Sequence, residues 1–103
     1  MASGTLGQSA PAATTNTTIY TVPSGKVATF NVSICNTNTT SVTIRLSISS
    51  TSTPSTSEYV EYNTTIPASG VLERGGLMAS AGKLIVGYAS ETNVAFNVYG
   101  YEE

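Results

Sequence analysis

The side chains that could do chemistry in this chain are few. Its acids are six glutamates (Glu58, Glu61, Glu73, Glu91, Glu102 and Glu103), its bases are Lys26, Lys83, Arg45 and Arg74, and Cys35 is the one thiol; histidine and aspartate do not occur. General acid–base catalysis draws on histidine, or on a carboxyl group whose proton affinity is raised by burial. Glu58 and Glu61 stand three apart on a predicted strand, so they point to opposite faces and cannot flank one glycosidic bond. The expected place for both is a solvated strand position, and Glu102 and Glu103 are read as terminal charges. Cys35 or a serine would need an activating base, and only the two lysines remain, of which Lys26 lies beside a turn and is hydrated. Neither a nucleophile elbow nor a phosphate-binding loop is present, and a lone thiolate makes no metal site. The sequence predicts a protein that is not an enzyme and uses no cofactor or metal.

What is left is shape and adhesion. Ser and Thr supply 14 and 17 of the 103 residues, charged residues only 10%, and the net charge is -2. That is no basic footprint for nucleic acid, and no apolar run approaches the ~20 residues that cross a bilayer. Neither nucleic acid nor membrane is an expected partner. The opening Met1-Ala2-Ser3-Gly4 has neither the charged nor the apolar region of a secretory signal. With Cys35 unpartnered, this predicts synthesis in a reducing cytoplasm. Asn-x-Ser/Thr triplets at Asn16, Asn31, Asn38 and Asn63 follow from composition in so Thr-rich a chain.

Hydrophobic residues at 40%, many of them β-branched or aromatic, predict one all-β domain. Residues 1–16 carry one large apolar side chain besides Met1, Leu6, and read as an extended N-terminal arm that could order on a neighbouring copy. Strands are expected over 17–22, 26–35, 42–49, 58–66, 71–74, 83–90 and 94–101. In the second, Ala28, Phe30, Val32 and Ile34 share one face; in the third, Val42, Ile44, Leu46 and Ile48 do. Val60, Tyr62 and Ile66 are assigned to the core. Leu84, Val86 and Tyr88 are placed in parity with Val94, Phe96 and Val98. Gly75-Gly76 is expected to end the fifth strand, leaving Leu77 and Met78 to cap the core from a loop. Such a set, with one apolar face per strand, predicts an antiparallel β-sandwich of seven to eight strands, jelly-roll or immunoglobulin-like, over 17–103.

Several stretches are similar to short virion structural proteins of tailed bacteriophages, including cyanophages. They are Ala12 to Pro23 (AATTNTTIYTVP), Asn31 to Asn36 (NVSICN), Glu58 to Tyr62 (EYVEY), Ile66 to Arg74 (IPASGVLER) and Val98 to Glu103 (VYGYEE). The resemblance covers most of the chain and lies in turns and strand edges. It departs at Asn36-Thr37, where the family carries Asn-Arg, so a contact made by that Arg would be missing here. The resemblance implies a place in a virion assembled in the host cytoplasm. The leading expectation is a capsid decoration (cement) protein, a homo-oligomer bound to the major capsid protein. The alternatives are a tail or baseplate accessory protein, and a receptor- or glycan-binding module at a fibre tip.

Six residues are the expected contacts. Arg45 and Arg74 are rare charges able to anchor an interface. Tyr59, Tyr99 and Tyr101 fall opposite the core parity and present a rigid ring with a hydrogen-bonding tip. Leu6 is the one large side chain the arm could lay on a neighbour.

Overall fold

The computed structural model describes residues 3–103. Eight strands form: β1 (Ser3–Ser9), β2 (Thr17–Thr21), β3 (Ala28–Asn36), β4 (Val42–Ser49), β5 (Tyr59–Ile66), β6 (Val71–Ala79), β7 (Leu84–Ala89) and β8 (Val94–Glu102). A single 3-10 turn, Thr56–Glu58, leads into β5. The strands pair antiparallel into two sheets, β1-β8-β3-β6 and β2-β7-β4-β5. Only β4 and β5 are consecutive strands within one sheet; every other connection crosses between sheets. This is the strand order of a jelly roll, which decides between the two kinds of sandwich expected.

The core follows the alternation of the two clearest strands. Phe30, Val32 and Ile34 of β3 and Ile44 and Leu46 of β4 are buried, as are Val94, Phe96 and Val98 of β8 and Ile66 of β5. On β7 the expected parity is inverted. Ile85 and Ala89 join the core cluster with the backbone of Gly87 between them, while Tyr88 turns outward. The cause is the Phe96 ring: a Cβ on Gly87 would lie 2.9 Å from its Cδ2. The larger alternate set, Leu84, Val86 and Tyr88, does not fit on that side.

Three further expectations change. Ser3–Ser9 is extended, but it is a strand of the sandwich, paired with β8 of its own chain from Ser3↔Tyr101 to Ser9↔Phe96. Leu6 packs against the core rather than facing a neighbour. A ladder of backbone hydrogen bonds needs little from the side chains, and an unpaired β8 edge invites that ladder. The sandwich therefore starts at Ser3 rather than at residue 17; residues 1 and 2 of the expected arm lie outside the described residues. Next, Gly75-Gly76 does not end β6 but forms a bulge opposite Asn31, whose Oδ1 accepts from Gly76 N at 3.2 Å. The strand runs on, so Leu77 packs on the core while Met78 points out, 63% exposed. Finally, Tyr62 leaves the core for the surface.

One polar side chain lies at the centre of these crossings. Asn36, at the end of β3, is fully buried. Its Nδ2 donates to the carbonyls of Thr40 at 2.9 Å, Pro67 at 3.0 Å and Ile66 at 3.2 Å. Its Oδ1 accepts from Asn38 N at 3.0 Å, and its own N–H donates to Gly70 O at 2.9 Å. Asn38 Nδ2 in turn donates to Thr92 O at 2.8 Å. The β3–β4, β5–β6 and β7–β8 connections are thus tied at one end of the sandwich. Leaving such buried carbonyls without donors costs about 1–3 kcal/mol each. Asn36→Ala is expected to destabilise the fold by about 3 kcal/mol or more, read as a lower urea midpoint with an unchanged m-value.

Candidate interaction surfaces

The outer face of the β2-β7-β4-β5 sheet carries a stacked cation. Arg45 of β4 lies opposite Tyr88 of β7. On its other side β5 is bulged: Ile44 opposes Thr64 and Leu46 opposes Glu61, so Tyr62 and Asn63 share the place opposite Arg45. Asn63 takes φ 52°, a left-handed conformation that asparagine tolerates better than most side chains. The extra residue turns Tyr62 outward to 56% exposure. The guanidinium carbon of Arg45 sits 4.6 Å from the Tyr62 ring centroid and 4.3 Å from that of Tyr88. Its Nε donates to Asn63 Oδ1 at 2.8 Å. Tyr59 meets Tyr62 edge to face at 4.8 Å. Next to this pair opens a groove of about 540 Å³ lined by Pro54, Thr56, Tyr59 and Tyr62.

The loop beside the groove is built on one carboxylate. Glu58 accepts from the backbone N–H groups of Ser55 at 2.9 Å and Ser50 at 3.0 Å, and from the hydroxyls of Ser49 at 2.9 Å and Ser55 at 3.1 Å. The Ser55 and Ser50 N–H groups, then the Ser49 hydroxyl, hold the Glu58 carboxyl down at about 2. The residue expected as a plain solvated charge is the organising group of the Ser/Thr-rich segment. Lys83 Nζ reaches the same loop, donating to Ser50 Oγ at 2.9 Å.

Arg74 does not join Arg45. It forms an ion pair with Glu61, which also accepts from Thr64 Oγ1 at 2.7 Å. Glu61 and Arg74 belong to edge strands of different sheets, so the pair links the two along the open side of the sandwich. With Arg74 41% exposed, its contribution is at most about 1 kcal/mol. At the opposite side, Tyr20 of β2 donates to the buried Glu102 of β8. Burial first, then that hydrogen bond and the carboxylate charge, push the Tyr20 phenol well above its ordinary range.

Tyr99 and Tyr101 lie on the outer face of the other sheet. Across it, Tyr101, Thr29 and Met78 are opposite one another in adjacent strands, and Tyr99 lies opposite Asn31 in the next outward row. Met78, Tyr101 and Tyr99 are exposed, and so is Val27 just before the start of β3. The six expected contacts therefore separate: Arg45 with Tyr59 on one face, Tyr99 with Tyr101 on the other, Arg74 at the edge between sheets, and Leu6 against the core. Tyr62, Tyr88 and Met78 were not among them. Tyr88 is signalled by its small neighbours Gly87 and Ala89, which suit the facing Phe96.

No known family model, curated protein or solved structure matches this chain. Its chemistry is read from its own geometry. Because Glu58 titrates below its ordinary 4.5 when folded, it adds stability above pH 4.5 that is lost as pH falls toward 2. Glu58→Gln is expected to lower the thermal midpoint at pH 7 and to flatten its decline over that acid range. Tyr20 acts in the opposite sense: its contribution is full below the ordinary value of 10.0 and is lost as pH climbs beyond it. Absorbance titration at 295 nm is expected to show one of the six tyrosines resisting ionisation until the fold opens.

Proposed function

We propose that this chain is a non-enzymatic structural protein of a tailed-phage virion, a capsid decoration protein that seats on the head lattice and stabilises it. The observation that carries the reading is that Met78, Tyr99 and Tyr101, with Val27, are exposed around Thr29 and Asn31 on one broad sheet face. Contiguous apolar groups on a small domain mark a contact surface, and tyrosine is well suited to one. The similarity of the turn and strand-edge segments to short virion proteins supplies the context, and jelly rolls recur in capsid and lectin domains. The partners in this reading are the major capsid protein and further copies of the chain.

The tyrosine rings on this face are rigid, so binding orders few of their rotamers. Copies seated at regular lattice sites would bridge neighbouring capsid subunits and oppose their separation on heating. Purified protein added to undecorated heads is expected to co-sediment at a copy number in the hundreds and to raise the temperature of DNA release. Combining Met78→Ser, Tyr99→Ser and Tyr101→Ser should weaken that binding about tenfold or more while leaving the fold intact. Failure to bind heads at any salt concentration overturns the reading. A copy number per virion of a small multiple of three or six places the protein in the tail instead.

A further inference from the structure

The stacked arginine lies on the sheet face away from Met78, Tyr99 and Tyr101, and its terminal nitrogens are unused. Among the described residues, Arg45 makes one side-chain hydrogen bond, from Nε to Asn63. Among these residues no carbonyl or side chain accepts from Nη1 or Nη2. Tyrosine rings from the strands on either side hold the guanidinium carbon within 4.6 Å of their centroids and Asn63 holds its Nε, so its free N–H groups form a preorganised edge. Such an edge matches a carboxylate bidentately. Tyr62 is common to this stack and to the groove, whose volume lies within the ~300–1,000 Å³ of small-ligand clefts.

We propose that this face binds a carboxylated saccharide, with a uronate group on Arg45 and a pyranose face against Tyr59 and Tyr62. The sugar's C–H groups carry partial positive charge and settle on the negative face of an aromatic ring. Thr56 and the two phenols supply hydroxyls for the sugar's own. Glu58 stays ionised, but both of its oxygens are taken up by Ser49, Ser50 and Ser55 and it does not line the groove. An acidic peptide is the poorer fit. A peptide would add to the sheet through the free backbone of edge strand β5, and the bulge at Tyr62–Asn63 breaks the ladder there.

The inference is independent of the virion reading, since it is tested on the purified chain without heads. Calorimetric titrations with a hyaluronan tetrasaccharide, neutral chitotetraose and hexaglutamate distinguish the sources of the carboxylate. Hyaluronan tetrasaccharide is expected to bind about tenfold or more tighter than chitotetraose. Arg45→Gln should remove that preference, and Arg45→Lys, which keeps the charge but loses the planar fork, should not restore it. Thr56→Trp fills the groove while leaving the stack in place, and should weaken binding of the acidic sugar. Each variant is checked for an unchanged circular dichroism spectrum. The proposal is overturned if Arg45→Gln binds the acidic sugar as the parent does, if hexaglutamate displaces it at equal concentration, or if neither sugar binds.

Discussion

A buried amide holds together the end of the molecule where the chain changes sheets. In a jelly roll almost every connection must cross the core, and each crossing exposes peptide groups that no strand pairs. Asn36 resolves three crossings at once, because a primary amide donates and accepts from one short, rigid plane. Its carbonyl partners belong to Thr40, Ile66 and Pro67, and its acceptor side organises Asn38 and through it the turn at Thr92. A hydrophobic side chain at this position would pack but would leave those carbonyls dry and unpaired. The other links between the sheets reach less far: the Glu61–Arg74 pair is partly hydrated, and Tyr20–Glu102 ties one strand to one strand.

With its ends tied in this way, the sandwich presents two broad faces of different chemistry. One holds exposed apolar and aromatic side chains with little charge. The other holds a cation clasped between rings beside a hydroxyl-rich groove. The clasped cation depends on the bulge opposite Arg45. Without the bulge at Tyr62–Asn63, Tyr62 would face inward as alternation demands, and Arg45 would lose one ring and the amide that orients it. Irregularity in β5 is therefore where surface specificity enters an otherwise regular fold.

How much of this was legible in the sequence depended on contrast. β3 and β4 alternate Phe, Val, Ile and Leu with Thr, Asn, Ser and Arg, so their inward faces could be read directly. β7 is apolar on both sides, and its orientation was settled only by the space that Gly87 leaves for Phe96, a tertiary fit. β6 absorbs one extra residue and β5 two, and a bulge changes parity without changing composition. β1 is the least legible strand, because its Ser, Thr, Gly and Gln side chains contribute little and its backbone does the pairing. The stacked site was half visible: Arg45 and Tyr59 stood out as polar-face residues, while Tyr62 and Tyr88 were hidden by the same parity rule that found the core.

The pairing of β1 with β8 sets an order on biosynthesis. β8 runs between β1 and β3, so two of that sheet's three strand pairings wait until β8 has left the ribosome. Until then β1 is unpaired and β3 has β6 alone, and β4–β5 is the one hairpin of consecutive strands that closes locally. Contacts this distant in sequence slow folding, because loop closure must precede the stabilising contacts. A ribosome-bound or truncated chain lacking β8 would carry bare strand edges. Its Ser, Thr and Gly side chains, rather than charge, would have to keep those edges soluble while the polypeptide is completed.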